Sequence, residues 1–254
     1  MTGLSSIVIT RNEEANIAGC LASVAFCDEI IVVDNGSTDR TVQLAEAAGA
    51  RVIIANDWPG FGAQKNYALS HATMSWVLSI DADERVTPQL REEIERAVDE
   101  ARFDAWDIPR RSSFCGRYMQ YSGWYPDRVT RLFRRDRGRF SDDRVHERVV
   151  VEGTVGHLRN DLLHTTYPDL ETMLGKLDRY STASAQAMFD RGERSSVLGA
   201  IVRGKWAFIR TYLLRLGFLD GALGFALAVS IAETTYYKYL KLWLLGRRKD
   251  AARV

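Results

Sequence analysis

Cysteine is scarce in this chain, with Cys20, Cys27 and Cys115 the only three in 254 residues. An odd count without paired metal-type spacing excludes a disulfide framework and reads as reduced thiols with no chemical role. An excess of charge of one sign is also missing, because 34 Lys and Arg stand against 33 Asp and Glu. That balance points away from a nucleic-acid-binding protein, and 46% hydrophobic residues point away from a disordered chain. No basic segment followed by an apolar run stands near the N-terminus, so no signal peptide is expected. No stretch reaches the ~18 uninterrupted apolar residues of a spanning helix. The best attempt, Gly221 to Ala232, runs into Glu233. Internal repeats and low-complexity tracts are absent. A domain on the cytosolic side is the expectation.

The first hundred residues alternate apolar runs with helix-period segments. Leu4 to Thr10, Glu29 to Asp34, Arg51 to Ala55 and Trp76 to Ile80 read as strands. Helices are expected over Asn12 to Ala25, up to Ala48, over Ala63 to Ala72, and from the Thr87–Pro88 cap to about Ala101. Strands alternating with short helices predict an α/β fold with a doubly wound sheet. Ligands on such sheets sit at the C-terminal ends of the strands, which marks Thr10 to Glu14, Asp34 to Asp39 and Asp81 to Asp83 as one cleft. From about Asp104 to Glu152, aromatic and arginine residues interleave in extended segments that complete the sheet. Beyond Tyr167 the pattern turns helical again. The expected division is a catalytic domain over 1–165 and a helical appendage over 166–254.

Leu78-Ser79-Ile80-Asp81-Ala82-Asp83-Glu84 carries the strongest chemical signal. Two carboxylates at the end of a buried apolar strand are costly unless something cationic sits there. Alternate strand positions project to one side, so Asp81 and Asp83 are expected to converge on one ion. Carboxylate oxygens suit Mg²⁺ or Mn²⁺, which take further ligands from substrate phosphates. The bland alternative is a solvated turn before the next helix. Asp34 ends a neighbouring strand, where a carboxylate can accept from an imide N–H or a ribose hydroxyl, while Ser37, Thr38 and Asp39 can cap the helix that follows.

Four ordered segments resemble the motifs of family 2 glycosyltransferases. They are Ile9-Thr10-Arg11-Asn12-Glu13-Glu14, Val33-Asp34-Asn35-Gly36-Ser37-Thr38-Asp39, Gly62-Ala63-Gln64-Lys65-Asn66 and Asp81-Ala82-Asp83. Gly123-Trp124-Tyr125-Pro126-Asp127, Arg131-Leu132-Phe133-Arg134, Val145-His146-Glu147 and Leu163-His164 resemble a narrower bacterial lipopolysaccharide-core β-glucosyltransferase subgroup. The resemblance implies a GT-A (Rossmann-like) mixed sheet flanked by helices. It also implies inverting transfer of a hexose, glucose in the subgroup, from a nucleotide-sugar, usually a UDP-sugar, with Mg²⁺ or Mn²⁺. Carried over by motif, Thr10, Glu13 and Asp34 contact the nucleoside, and Lys65 approaches the base or diphosphate. Asp81 faces ribose or metal, and Asp83 ligates the metal.

An inverting displacement needs a base beside the acceptor hydroxyl. Asp142, Asp143 and Glu147 are the candidates, with Glu147 preferred through its His-Glu resemblance and Asp143 next. His164, after Leu162-Leu163, is a further metal ligand or phosphate contact, or a histidine satisfied in the core. His71 and His157 read as surface or structural residues. The arginines between Arg110 and Arg148 favour an anionic or lipid-linked saccharide acceptor, against the alternative of a solvated charged loop. Aromatic and basic residues over Lys205 to Arg248 predict attachment to the inner face of the cytoplasmic membrane, against helix packing or a dimer interface. Two other readings stay open: a polyprenyl-phosphate sugar transferase, and a non-catalytic membrane-peripheral scaffold of the same fold.

Overall fold

A computed structural model describes residues 3–141 and 147–251, with side chains through Arg247. The chain packs as two compact units, Met1–Arg111 with Asp127–His164, and Ser112–Pro126 with Thr165–Val254.

The first unit opens with β1 (Leu4–Thr10), α1 (Ile17–Ser23), β2 (Glu29–Asp34), α2 (Thr41–Ala47), β3 (Arg51–Ile54), α3 (Phe61–Ser70) and β4 (Trp76–Ser79). β5 (Glu84–Val86), α4 (Pro88–Glu100) and β6 (Ala105–Phe114) follow. After β7 (Arg117–Tyr118), which belongs to the second unit, come β8 (Asp127–Arg134), β9 (Gly138–Phe140), β10 (Val149–Val151), β11 (Val155–His157) and β12 (Leu162–Tyr167). The sheet order is β3-β2-β1-β4-β8-β6-β12-β5. β3, β2, β1 and β4 are parallel, and β8 enters antiparallel to β4, so the sheet is mixed.

The central strands are buried on both faces, which is why they read as continuous apolar runs. Alternation splits their side chains between two cores. Val8, Val32 and Leu78 meet Ile17 and Leu21 of α1 and Leu90 and Ile94 of α4. Ile7, Ile31, Val33 and Val77 meet Ala68 of α3 together with Phe133 and Phe140. Each fully buried Ile or Leu here contributes about 1.5–3 kcal/mol. Thr87 caps α4 as its sequence predicts, its hydroxyl accepting from Leu90 N at 3.2 Å, with Pro88 in the first turn. The first helix is shorter than expected. It starts at Ile17 because Asn12 adopts a positive φ of 55° and residues 12–14 bond to the next loop instead of to a helix.

The second unit joins the β6–β7 hairpin to α5 (Leu170–Asp190), α6 (Val197–Ile209), a π-helical turn (Arg210–Leu214), a 3₁₀ turn (Gly217–Asp220) and α7 (Gly221–Ala251). Asp169 and Ser196 cap α5 and α6, accepting from Thr172 N at 2.7 Å and Gly199 N at 3.0 Å. Phe114, Met119, Met173, Leu177 and Leu227 form its core, with Trp124 and Tyr167 against them. Asp220 is buried and accepts from the backbone N–H groups of Gln120 at 3.1 Å and Tyr121 at 3.0 Å. Lys241 of α7 donates to Asp178 at 2.7 Å and to Ser181 at 2.8 Å, both on α5. Searching for uninterrupted apolar runs understated α7. The helix through Gly217–Arg247 is long and apolar enough to cross a membrane by length and composition, with a third of its most apolar window buried.

Candidate active site

The parallel strands end at one edge of the sheet, with Thr10 of β1 beside Asp34 of β2 and Ile7 beside Ser79 of β4. The loops after β1 and β2 are laced together. Asn12 N donates to Ser37 Oγ at 2.8 Å, Thr38 N to Asn12 Oδ1 at 2.8 Å, Glu13 N to Thr41 Oγ1 at 2.8 Å and Glu14 N to Asp39 Oδ2 at 3.2 Å. The Glu13 carboxylate accepts from Asn16 Nδ2 at 2.8 Å. Asp34 is buried, and its carboxylate accepts from Ser37 N at 2.8 Å and from the Ser37 hydroxyl. Asp34 therefore stabilises the turn that follows it, while Asp39, among the residues expected to cap the next helix, accepts from Thr41 N at 3.0 Å. The Thr10 hydroxyl is buried without a hydrogen-bond partner among the described residues.

Asp81 and Asp83 do not continue the strand alternation expected of them. β4 stops at Ser79, and Asp81 to Glu84 form a turn closed twice. Glu84 N donates to Asp81 O at 2.9 Å, and Asp81 N donates to the Glu84 carboxylate at 2.9 Å. The two aspartates consequently engage different partners.

Two cations of the protein itself contact Asp81. Lys65 Nζ of α3 lies 2.9 Å from Asp81 Oδ1, and Arg131 of β8 bonds Asp81 Oδ2. Burial alone would raise the Asp81 carboxyl, but the charges of Arg131 and Lys65 override it and hold the group well below the usual carboxylate range. The same Lys65 ammonium reaches Glu147 Oε1 at 2.9 Å. Arg131 continues to Glu84 Oε1 at 2.6 Å, Glu84 to Arg110 at 3.3 Å, and Arg110 to Asp127 at 2.6 Å. Charges alternate along this chain from Glu147 to Asp127. Three of its members are out of water: Lys65 is 4% exposed, Glu84 0% and Arg131 6%. Burial would lower the Arg131 guanidinium, and the carboxylates of Asp81 and Glu84 reverse that and raise it.

Asp83 instead faces His164. Its Oδ2 lies 3.3 Å from His164 Nε2, and β12 brings His164 alongside Glu84 of β5. Among the described residues no three His, Cys, Asp or Glu side chains converge as a metal cage. One carboxylate oxygen and one imidazole nitrogen side by side are nevertheless a donor pair compatible with Mn²⁺, whereas Mg²⁺ would draw on the carboxylate oxygen alone, with substrate phosphate able to fill further positions. The predicted ligands thus divide: Asp83 lies beside His164, and Asp81 is held by Lys65 and Arg131.

α3 positions Lys65 by two contacts. Asn66 clamps β9, donating from Nδ2 to Phe140 O at 2.9 Å and accepting from Phe140 N at 2.9 Å. At Gly62 a methyl group would collide with the Ser141 carbonyl oxygen. Ser141 N donates to Arg148 O, next to Glu147, at 2.9 Å. Asp142, Asp143 and His146 lie outside the described residues. The arginines predicted to await an anion are largely engaged within the chain. Arg110 and Arg131 serve the charge chain, Arg128 pairs with Asp107 at 2.6 Å, and Arg111 lies 3.7 Å from Asp161. The sequence pattern gave Glu84 no role and placed Arg131 only among the arginines facing an anionic acceptor. An arginine directly before Leu132 and Phe133 was the available signal, since such a residue is buried only if paired. His157 is exposed and bonded to Asp107 at 2.6 Å, and His71 packs edge-on against Tyr67. The three cysteines are free, and burial pushes the Cys27 thiol up to about 12.

A mixed sheet with acidic loops at the ends of its parallel strands defines a GT-A glycosyltransferase fold. The profile of glycosyl transferase family 2 matches residues 5–151, and the chain belongs to that family. It is 33% identical to the lipopolysaccharide core biosynthesis glycosyltransferase LpsC of Rhizobium meliloti, over 94% of this chain and 92% of that protein. It is 30% identical to an uncharacterized glycosyltransferase of Rickettsia prowazekii, over 95% of this chain and 87% of that protein. Among solved structures, S. aureus TarS 1-349 in complex with UDP aligns with a TM-score of 0.51 at 18% identity, covering 93% of this chain and 90% of that chain. That likeness concerns the fold. The chain is a glycosyltransferase.

Proposed function

We propose that this enzyme transfers a hexose, glucose, from UDP-glucose with inversion to a lipopolysaccharide-core or other lipid-anchored saccharide at the cytoplasmic face of a membrane. One observation carries the reading: a single buried ammonium, Lys65 Nζ, lies 2.9 Å from both Asp81 of the Asp-X-Asp turn and Glu147. Asp81 of the proposed donor side and the proposed base Glu147 thereby share one cation. Similarity to LpsC supports the saccharide class of the acceptor.

In the proposed reaction Glu147 takes the proton of the acceptor hydroxyl as its oxygen attacks the anomeric carbon. The new C–O bond forms on the face opposite the C–O bond to diphosphate, which breaks and leaves with its electron pair. Lys65 fixes the position of the Glu147 carboxylate. Asp34, Glu13 and Thr10 lie where the strand ends would meet the nucleoside. Asp83 and His164 would hold Mg²⁺ or Mn²⁺, which when bound supplies charge neutralisation for the diphosphate. The test is a panel of nucleotide-sugars with each metal, reading UDP release with and without purified core saccharide. Asp83→Ala is expected to abolish both transfer and metal-dependent donor binding, and full turnover by that variant would remove the mechanism.

The long apolar α7 favours a second reading, a polyprenyl-phosphate acceptor. Mass spectrometry of the product separates a lipid-phosphate sugar from an extended core saccharide.

A further inference from the structure

α6 and the π-helical turn after it are inside out. The face turned into the second unit carries small residues, Ala200, Gly204, Ala207 and Thr211, all buried. A methyl group on Gly204 would lie 3.1 Å from Tyr236 Cβ and 3.3 Å from the Ala232 carbonyl oxygen, so small side chains let α6 lie close on α7. Large apolar residues face outward: Leu198 is 70% exposed, Val202 56%, Trp206 54% and Leu213 51%. Their spacing of four, four and seven residues makes one stripe along the helix. Leu214 at 63% and Leu219 at 50% extend it around the elbow. Half of the exposed large hydrophobic side chains of the described chain fall between Val197 and Leu219. A soluble surface rarely shows so large a contiguous apolar patch.

The charges of the same stretch select the occupant. Arg203, Lys205, Arg210 and Arg215 are its only charged residues, so it holds four cations and no acid. A second copy of the chain would bring like charges together across a two-fold interface. An anionic lipid leaflet answers both the oil and the charge, with basic side chains at the headgroups and Trp206 at the interface. α6, at 13 residues, spans about 20 Å, short of the ~30 Å hydrocarbon core, and the π-helical and 3₁₀ turns reverse the chain behind it. Between α6 and α7 an apolar groove of about 530 Å³ shares Ile201 and Ile209 with the exposed face. We propose that Val197–Leu219 is a re-entrant elbow that embeds in one leaflet of an anionic phospholipid bilayer without crossing it. The inference deepens the membrane part of the function proposed above and is independent of donor and acceptor chemistry.

The experiment is flotation of the full chain with vesicles of phosphatidylcholine alone or containing 30% phosphatidylglycerol, composition chosen for the assay. The wild type and a variant carrying Leu198→Ser, Val202→Ser, Leu213→Ser and Leu214→Ser are compared, with UDP binding measured on both. Wild-type protein should float with anionic vesicles, and the variant should partition ~100-fold more weakly while keeping its UDP affinity. Lipids brominated on the acyl chain should quench wild-type fluorescence more than that of Trp206→Phe. Wild-type protein that stays with the soluble fraction would overturn the proposal, as would a variant that floats equally well. Flotation indifferent to lipid charge, or a concentration-dependent dimer that the same variant dissolves in place of vesicle binding, would overturn it too. Loss of UDP binding by wild type with vesicle binding intact would defeat the donor reading and leave the elbow standing.

Discussion

The sheet unit takes charge out of water, whereas the helical unit leaves oil in it. In the first, Lys65, Glu84 and Arg131 are almost wholly buried, and each lies against a side chain of opposite sign. In the second, α6 hides Ala200 and Gly204 and presents Leu198 and Trp206. Both arrangements are unfavourable in isolation, since ions lose hydration on burial and apolar surface orders water on exposure. The difference lies in where the compensation comes from. The sheet unit finds it within its own chain, in the ion pairs that link Lys65, Asp81, Arg131 and Glu84. The helical unit shows no such compensation for the large side chains α6 exposes, and the proposed lipid phase would supply it.

That contrast can be broken at its strongest point. Glu147→Gln should lower kcat by about 10²- to 10⁴-fold with donor KM unchanged, the range expected for loss of a general base. A drop in donor affinity instead would make Glu147 a prop for Lys65. Arg131→Met leaves Asp81 and Glu84 without their shared cation and should cost about 3–5 kcal/mol in urea unfolding, as for a broken buried pair. A loss below ~1 kcal/mol would show the charge chain to be no stronger than a surface pair.

Acid sharpens the same point. The Asp81 carboxyl is held below its ordinary value by Arg131 and Lys65, against the opposing effect of burial. A depressed native value means that the unfolded chain takes up the proton first. The stabilisation is therefore complete above about pH 4 and is lost as pH falls through the native value. Unfolding curves between about pH 5 and pH 2 should be flatter in Asp81→Asn than in wild type. The smallest effect belongs to the exposed Arg40–Glu14 pair. Arg40→Ala should leave the urea midpoint within error, since such pairs are screened by solvent.

The strands and the edge of the cleft were legible because central parallel strands are apolar on both faces and end in acidic loops. Leu4 to Thr10 and Glu29 to Asp34 could be read to the residue. The Asp-X-Asp turn was legible as a site but not as a geometry. Whether two aspartates converge depends on where β4 stops, and that depends on Glu84 folding back onto Asp81 N. Nor could the partners of Asp81 be read, because Lys65 and Arg131 arrive from 16 residues before it and 50 after it through tertiary packing. The helical region showed its aromatics and bases, but the outward orientation of its large residues follows from the small ones that pack inward, and periodicity alone favours the opposite face.

The second unit is stitched from two distant pieces of chain. Asp220 holds the backbone of Gln120 and Tyr121, and Trp124 rests against Tyr167 and Phe114. Trimming the protein after residue 165 would strand the loop at 112–126, with its amide donors unanswered and its aromatic rings bare. A catalytic fragment freed of its greasy helices therefore demands two excisions and a short splice between Arg111 and Asp127, not one cut.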